Sequence, residues 1–172
     1  METLECIKTR RSIRKFSEKE VPNDIIEKII EASKYTPSSH DSQPWQFYVI
    51  KSQDLKSKLA ELDHEDNRPI IINSSVVILI CVDLEKSPMR FVEDGVLAAQ
   101  NMMLAIHDLG LGCVYFSAYK ADDLKREEGI KKILDIPANL KPIALLPVGY
   151  PDQTEKLEEK TIQNNSDLSV YL

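Results

Sequence analysis

The chain is short of the features that mark several protein classes. Its 172 residues include three cysteines, Cys6, Cys81 and Cys113. That odd number, without a C-x-x-C spacing, excludes a disulfide framework and a zinc knuckle and predicts reduced thiols in or near the core. The longest apolar run, Val76 to Val82, is seven residues, far short of the ~20 that a membrane-spanning helix needs. The N-terminus, METLECIKTRRS, sets charge between its apolar residues and so lacks the continuous apolar stretch of a secretory signal. A cytoplasmic protein is expected, with no membrane partner. Basic residues are outnumbered, 22 against 28 acidic, for a formal charge of -6, which argues against a nucleic-acid partner as well.

Ligand motifs are scarce too. Gly110-Leu-Gly112 begins like a dinucleotide fingerprint, but Tyr115 stands where the third glycine belongs and the pair follows a helix. There is no P-loop, and His40, His64 and His107 are not spaced as a helical metal pair, so no metal is expected. Without repeats, low-complexity tracts or a Gly/Ser linker, residues 1–172 read as one domain with a loosely composed tail at 152–172.

Against these absences stands a composition that is 42% hydrophobic, enough for one substantial core. Leu4 and Ile7 predict a short amphipathic helix. Asn23 is placed to cap a second helix with Ile25, Ile26, Ile29 and Ile30 on its apolar face, ending near Tyr35 because Pro37 disfavours helical geometry before it. Gln46 to Lys51 reads as a strand, and Leu55, Leu59 and Leu62 mark a helix. Val76 to Asp83 is apolar on both faces, as an interior strand is. Phe91 to Leu109 predicts the longest helix, closed by Gly110 and apolar nearly all the way round, which suits a dimer interface. Cys113 to Ser117, Asp122 to Leu134 and Pro142 to Gly149 complete the pattern as strand, helix and strand. The expected class is a layered α/β or α+β sheet with helical cover.

Two segments point to a ligand. Lys8, Arg10, Arg11, Arg14 and Lys15 put five cations into eight residues with no acid among them. With the Ser12 hydroxyl they suit a phosphate monoester, and equally a solvated basic surface or a patch for an acidic protein. Thr36-Pro-Ser-Ser-His-Asp-Ser-Gln-Pro-Trp45 sets small polar residues before a strand, where backbone donors can approach a planar ligand; a proline-bounded loop with Trp45 as core filler has the same sequence.

In register, RRSIRKF from Arg10, PSSHDSQPWQF from Pro37, EDGVLAAQNMMLAIHDLGLGC from Glu93 and LLPVGYP from Leu145 resemble the nitroreductase family of flavoproteins. The resemblance implies an α+β three-layer homodimer, a central mixed sheet covered by helices, with FMN between subunits and the tail packing on the partner. It also implies ping-pong transfer from NAD(P)H to a nitroaromatic, quinone or similar acceptor. Arg10, Arg11, Ser12 and Arg14 would hold the FMN phosphate and ribityl chain, with Lys160, or Lys156 behind it, completing the phosphate site. Pro37, Ser38, Ser39 and Gln43 would edge the isoalloxazine from the partner subunit. Tyr115, Phe116 and Ser117 would lie against it, with a backbone N–H near Ser117 or Ala118 facing N5. No side-chain nucleophile is expected, since the cofactor carries the chemistry. Two departures stand out. Asp41 replaces the family's usual asparagine, and the connections His64 to Asn73 and Leu84 to Phe91 are short, leaving little chain to cap a substrate. A flavin carrier or redox sensor without turnover is the alternative, and a colourless protein docking an acidic partner a third.

Overall fold

The computed structural model describes residues 1–121 and 124–152. Helix α1 (Thr3–Thr9) leads through the basic segment to α2 (Asn23–Lys34), and a loop with a 3-10 turn at Ser39–Asp41 precedes strand β1 (Trp45–Ile50). Helix α3 (Gln53–Ala60), a second 3-10 turn at Glu65–Asn67 and α4 (Arg68–Asn73) run into β2 (Val76–Asp83). The long α5 (Phe91–Asp108) precedes β3 (Gly112–Cys113), β4 (Phe116–Ser117), α6 (Lys125–Leu134) and β5 (Leu140–Gly149).

The strands lie in the order β1-β2-β5-β3, with β4 also on β5. Their ladders are antiparallel, and a parallel pairing, Ser12 with Cys113, makes the sheet mixed. Strand alternation explains the apolar run of β2. Val76, Ile78 and Ile80 pack with Ile26, Ile29, Ala98, Met102 and Ile106 on one face. Val77, Leu79 and Cys81 pack with Leu59, Ile71, Ile130 and Leu145 on the other. Helices α2 and α5 therefore cover one face and α3, α4 and α6 the other, which is the expected three-layer α+β arrangement. Gly95 lets α5 settle on the sheet, because a Cβ there would stand 2.7 Å from the Ile143 side chain.

The end of α5 forms as its sequence predicts. Gly110 has φ +75, its N–H reaches the His107 carbonyl, and the Leu111 N–H reaches that of Ile106. That pair of bonds is the Schellman arrangement. Other details differ. Asn23 does not cap α2: the helix enters through Pro22, and the Asn23 side chain accepts from Lys51 Nζ instead. The connection from His64 to Asn73 is largely helical as α4. The strand expected over Cys113 to Ser117 is split in two although its register is unbroken, Cys113 facing Val148 and Phe116 facing Leu145. By the same register Val114 faces Pro147, which has no N–H to give the ladder. All three cysteines are free and buried.

Helix α5 is buried on one side only within this chain. Asp94, Gly95, Ala98, Ala99, Met102 and Ile106 face inward. On its outer side Val96 and Leu97 remain 40% and 44% exposed, and Leu4 and Ile7 of α1 are also open to solvent. Among the described residues no helix is long and apolar enough to cross a membrane, and no group of His, Cys and acidic residues could hold a metal ion.

Candidate cofactor site

The basic segment is laid against the sheet edge. Arg10 closes α1, Ser12 bridges to Cys113, and the Ile13 N–H donates to the Cys113 carbonyl at 2.9 Å. Farther on, Asp152 N–H donates to the Lys15 carbonyl and Ser17 N–H to that of Tyr150. Alternation along this added strand buries Ile13 and leaves Arg14 exposed. Arg11 also serves the end of α1. Its Nη1 donates to the carbonyls of Lys8, Thr9 and Arg10, which α1 leaves unsatisfied at its end. Arg10 is close enough to Cys113 and His107 to act on both. Burial lowers the His107 pKa and Arg10 lowers it further, while burial pushes the Cys113 thiol up to about 12 against the pull of Arg10. That thiol stays protonated at neutral pH and is no nucleophile.

Beyond Ser12, Arg14, Lys15 and Phe16 form one wall of a cavity of about 530 Å³, within the range of about 300 to 1,000 Å³ that small ligands occupy. Pro69 and Ile70 of α4 form an apolar wall, and Asp66, Asn73 and Asp152 complete the rim. Arg14 and Lys15 can meet an anionic group beside the apolar Pro69 and Ile70, while Asp66 and Asp152 set two carboxylates on the same rim. The sequence pattern did not disclose α4 as part of the site, although Pro69 just inside its start is a helix signal.

The second segment is a strained loop. His40, Asp41 and Gln43 all have positive φ, at 54, 53 and 44, which costs on the order of 1 to 3 kcal/mol each. Internal bonds offset part of this: Gln43 N–H to Ser38 Oγ at 3.0 Å, Asp41 N–H to the Ser38 carbonyl at 3.1 Å, and Gln43 Nε2 to Asp41 Oδ1 at 3.2 Å. Pro37, Asp41 and Gln43 are exposed and Ser38 and Ser39 partly so.

At the β4 edge the two faces separate the expected residues. The Phe116 ring packs into the cluster around Leu145, whereas Tyr115 packs on the opposite one. Burial raises the Tyr115 pKa, and a bond with Ser117 works against that rise. Of the two N–H candidates, that of Ala118 is used by the Ile143 carbonyl at 2.9 Å. Ser117, opposite Ala144, then occupies the alternate position of the ladder, and its N–H points out of the sheet edge. Lys156 and Lys160 lie outside the described residues.

One protomer does not bring these parts together. The loop is tied to the start of α5 by the bond from Ser39 N–H to Asp94 Oδ1 at 3.0 Å. The approach to the basic segment is tied to the end of α5, where Thr9 Oγ1 meets His107 Nε2 at 2.9 Å and the N-terminus meets Asp108 at 2.7 Å. At 1.5 Å per residue those anchors are about 20 Å apart along the helix. Within the described residues, the loop and the basic segment are thus anchored at opposite ends of α5.

The model of the nitroreductase family matches residues 7–79 and 67–150. A protein of Methanothermobacter thermautotrophicus named "Putative NADH dehydrogenase/NAD(P)H nitroreductase" is 40% identical over 88% of this chain and 78% of its own. The crystal structure of a protein of the same name from Parabacteroides distasonis superposes with a TM-score of 0.85 at 32% identity, covering 93% of each chain. An FMN-dependent nitroreductase from Clostridium difficile has a TM-score of 0.82 at 29% identity, covering 96% of this chain and 94% of its own.

Proposed function

The chain belongs to the nitroreductase family, and from that premise we propose that it is a homodimeric, FMN-dependent oxidoreductase. It takes hydride from NAD(P)H and reduces a nitroaromatic, quinone or similar acceptor by a ping-pong cycle. The observation that carries this reading is the cavity with Arg14 and Lys15 on one wall and Pro69 and Ile70 on the other. When bound, FMN supplies the hydride-accepting N5.

The chain binds and orients. Arg10, Ser12 and Arg14 serve the phosphate and ribityl end. Arg11 supports them by holding the end of α1. Pro37, Ser38, Ser39 and Gln43 of the partner subunit close over the ring edge. The outward Ser117 N–H offers a fixed donor where charge develops on hydride arrival, a placement that needs no reorganisation during the reaction. No nucleophile is required of the protein, and the protonated Cys113 supplies none.

The phosphate contacts give a direct test. Losing one charged hydrogen bond costs about 1.5 to 3 kcal/mol, so Arg10→Ala or Arg14→Ala should weaken FMN binding roughly tenfold or more. Riboflavin, which lacks the phosphate, should bind far more weakly than FMN and should not distinguish these variants from wild type. Equal affinities of the wild type for riboflavin and FMN, measured by fluorescence titration, would overturn the assignment.

Asp41 gives a second. Placed at the ring edge, its carboxylate raises the energy of the negatively charged reduced flavin, and Asp41→Asn removes that charge and adds a donor. The two-electron potential should rise, by about 30 mV for each 1.4 kcal/mol relieved. A spectroelectrochemical titration of both proteins at one pH reads the shift. An unchanged or lower potential in the variant means that solvent screens the carboxylate or that it points elsewhere.

A further inference from the structure

Asp94 is 2% exposed at the first turn of α5, a buried carboxylate on the helix face that packs on the sheet. Its Oδ1 accepts the Ser39 N–H at 3.0 Å and its Oδ2 accepts the Ser87 hydroxyl at 2.7 Å. Its backbone carbonyl accepts Trp45 Nε1 at 3.1 Å. One residue thus joins the strained loop, the turn after β2 and the first residue of β1. Ser87 is itself 2% exposed, so the brace is rigid on both sides. The loop it holds has three non-glycine residues at positive φ between Ser39 and Trp45, a shape that persists only where its surroundings over-determine it.

We propose that Asp94 is a positioning residue: it fixes the Ser38–Gln43 loop in the one shape that fits the flavin ring of the partner subunit. This rests on the FMN reading above. The chemistry separates two substitutions. Asp94→Ala leaves the Ser39 N–H and the Ser87 hydroxyl without partners, and the loop is released. Asp94→Asn keeps both bonds, because its amide oxygen accepts from Ser39 while its NH2 donates to Ser87 Oγ.

The test measures FMN affinity, the two-electron potential and visible circular dichroism of the bound flavin, and the melting temperature of each protein. Asp94→Ala should weaken FMN about tenfold or more and move the flavin potential and dichroism, while Asp94→Asn should stay within about threefold of wild type. If Asp94→Ala does not fold, Ser87→Ala decides: FMN weakened by about threefold or more, with an altered dichroism, supports the role, and wild-type values overturn it. A lower melting temperature in Asp94→Ala with an unchanged flavin potential and dichroism also overturns it, since that is what a purely structural residue would give. A yellow wild type matched by Asp94→Ala in all flavin properties defeats this inference alone. A wild type that binds no flavin defeats it together with the reading it rests on.

Discussion

Leu97→Asp should turn the protein into a colourless monomer. Leu97 is 44% exposed on the outward side of α5, next to Val96 at 40%, although the helix is apolar nearly all round. Burying a fully exposed leucine contributes about 1.5 to 3 kcal/mol, but Leu97 is already more than half buried in its own protomer, so with the position present twice in a two-fold interface the substitution removes about 1 to 3 kcal/mol of association free energy. The introduced carboxylate adds a desolvation penalty wherever it is buried without a partner. Dimer dissociation should therefore increase by roughly one to two powers of ten or more. Because the loop and the basic segment are anchored at opposite ends of α5, FMN should be lost with the dimer. Ala99 and Met102 are poor probes of the same question, being fully buried in their own protomer. Light scattering with flavin absorbance checks the result, and a dimer that keeps its flavin would contradict the shared site.

Arg126→Ala should destabilise the fold by about 3 kcal/mol or more, because it strands a buried acid. Arg126 Nη2 pairs with Asp63 Oδ2, the two side chains being 11% and 5% exposed. Asp63 Oδ1 also takes Asn67 Nδ2 and the His64 N–H, both at 2.8 Å, so the pair anchors the turn that leads into α4 and the apolar wall of the cavity. Among the described residues Arg126 Nε has no hydrogen-bond partner, which puts the expected loss at the lower end of the range for broken buried pairs. Burial pushes the Asp63 carboxyl up, but the bonds from Arg126 and Asn67 outweigh it and hold it below the usual carboxylate range. A depressed folded-state pKa gives stability that is fully present above the unfolded pKa and is lost as pH falls through the folded value. Wild type should therefore lose stability on acidification below about pH 4, and Arg126→Ala should lack most of that Asp63 contribution already at neutral pH. Denaturant melts of both proteins across that range read the difference; equal midpoints at pH 7 would contradict it.

Local patterns in the chain disclosed what local physics determines. The two-sided burial of β2 follows from an unbroken apolar run, and the end of α5 from one glycine. Features set by contacts between distant residues stayed hidden. The break between β3 and β4 depends on Pro147 lying opposite Val114, some thirty residues away in the chain and adjacent only once the strands pair. The bonds that Arg11 makes to the end of α1 are likewise not visible in a count of cations. Asp94 was visible only as an acid before an apolar helix, and nothing local marks its tie to Ser39. The pocket needs α4, a six-residue helix too short to stand out by periodicity.

The central claim is that this fold binds FMN between two subunits and uses it to pass electrons from NAD(P)H to an acceptor. Its most direct measurement is the visible spectrum of the purified dimer under anaerobic conditions, before and after NADH or NADPH and again after a quinone or nitroaromatic. The account predicts flavin bands that bleach with the nicotinamide and return with the acceptor. A protein that stays colourless after incubation with FMN and desalting, or flavin bands that neither nicotinamide bleaches, would contradict it.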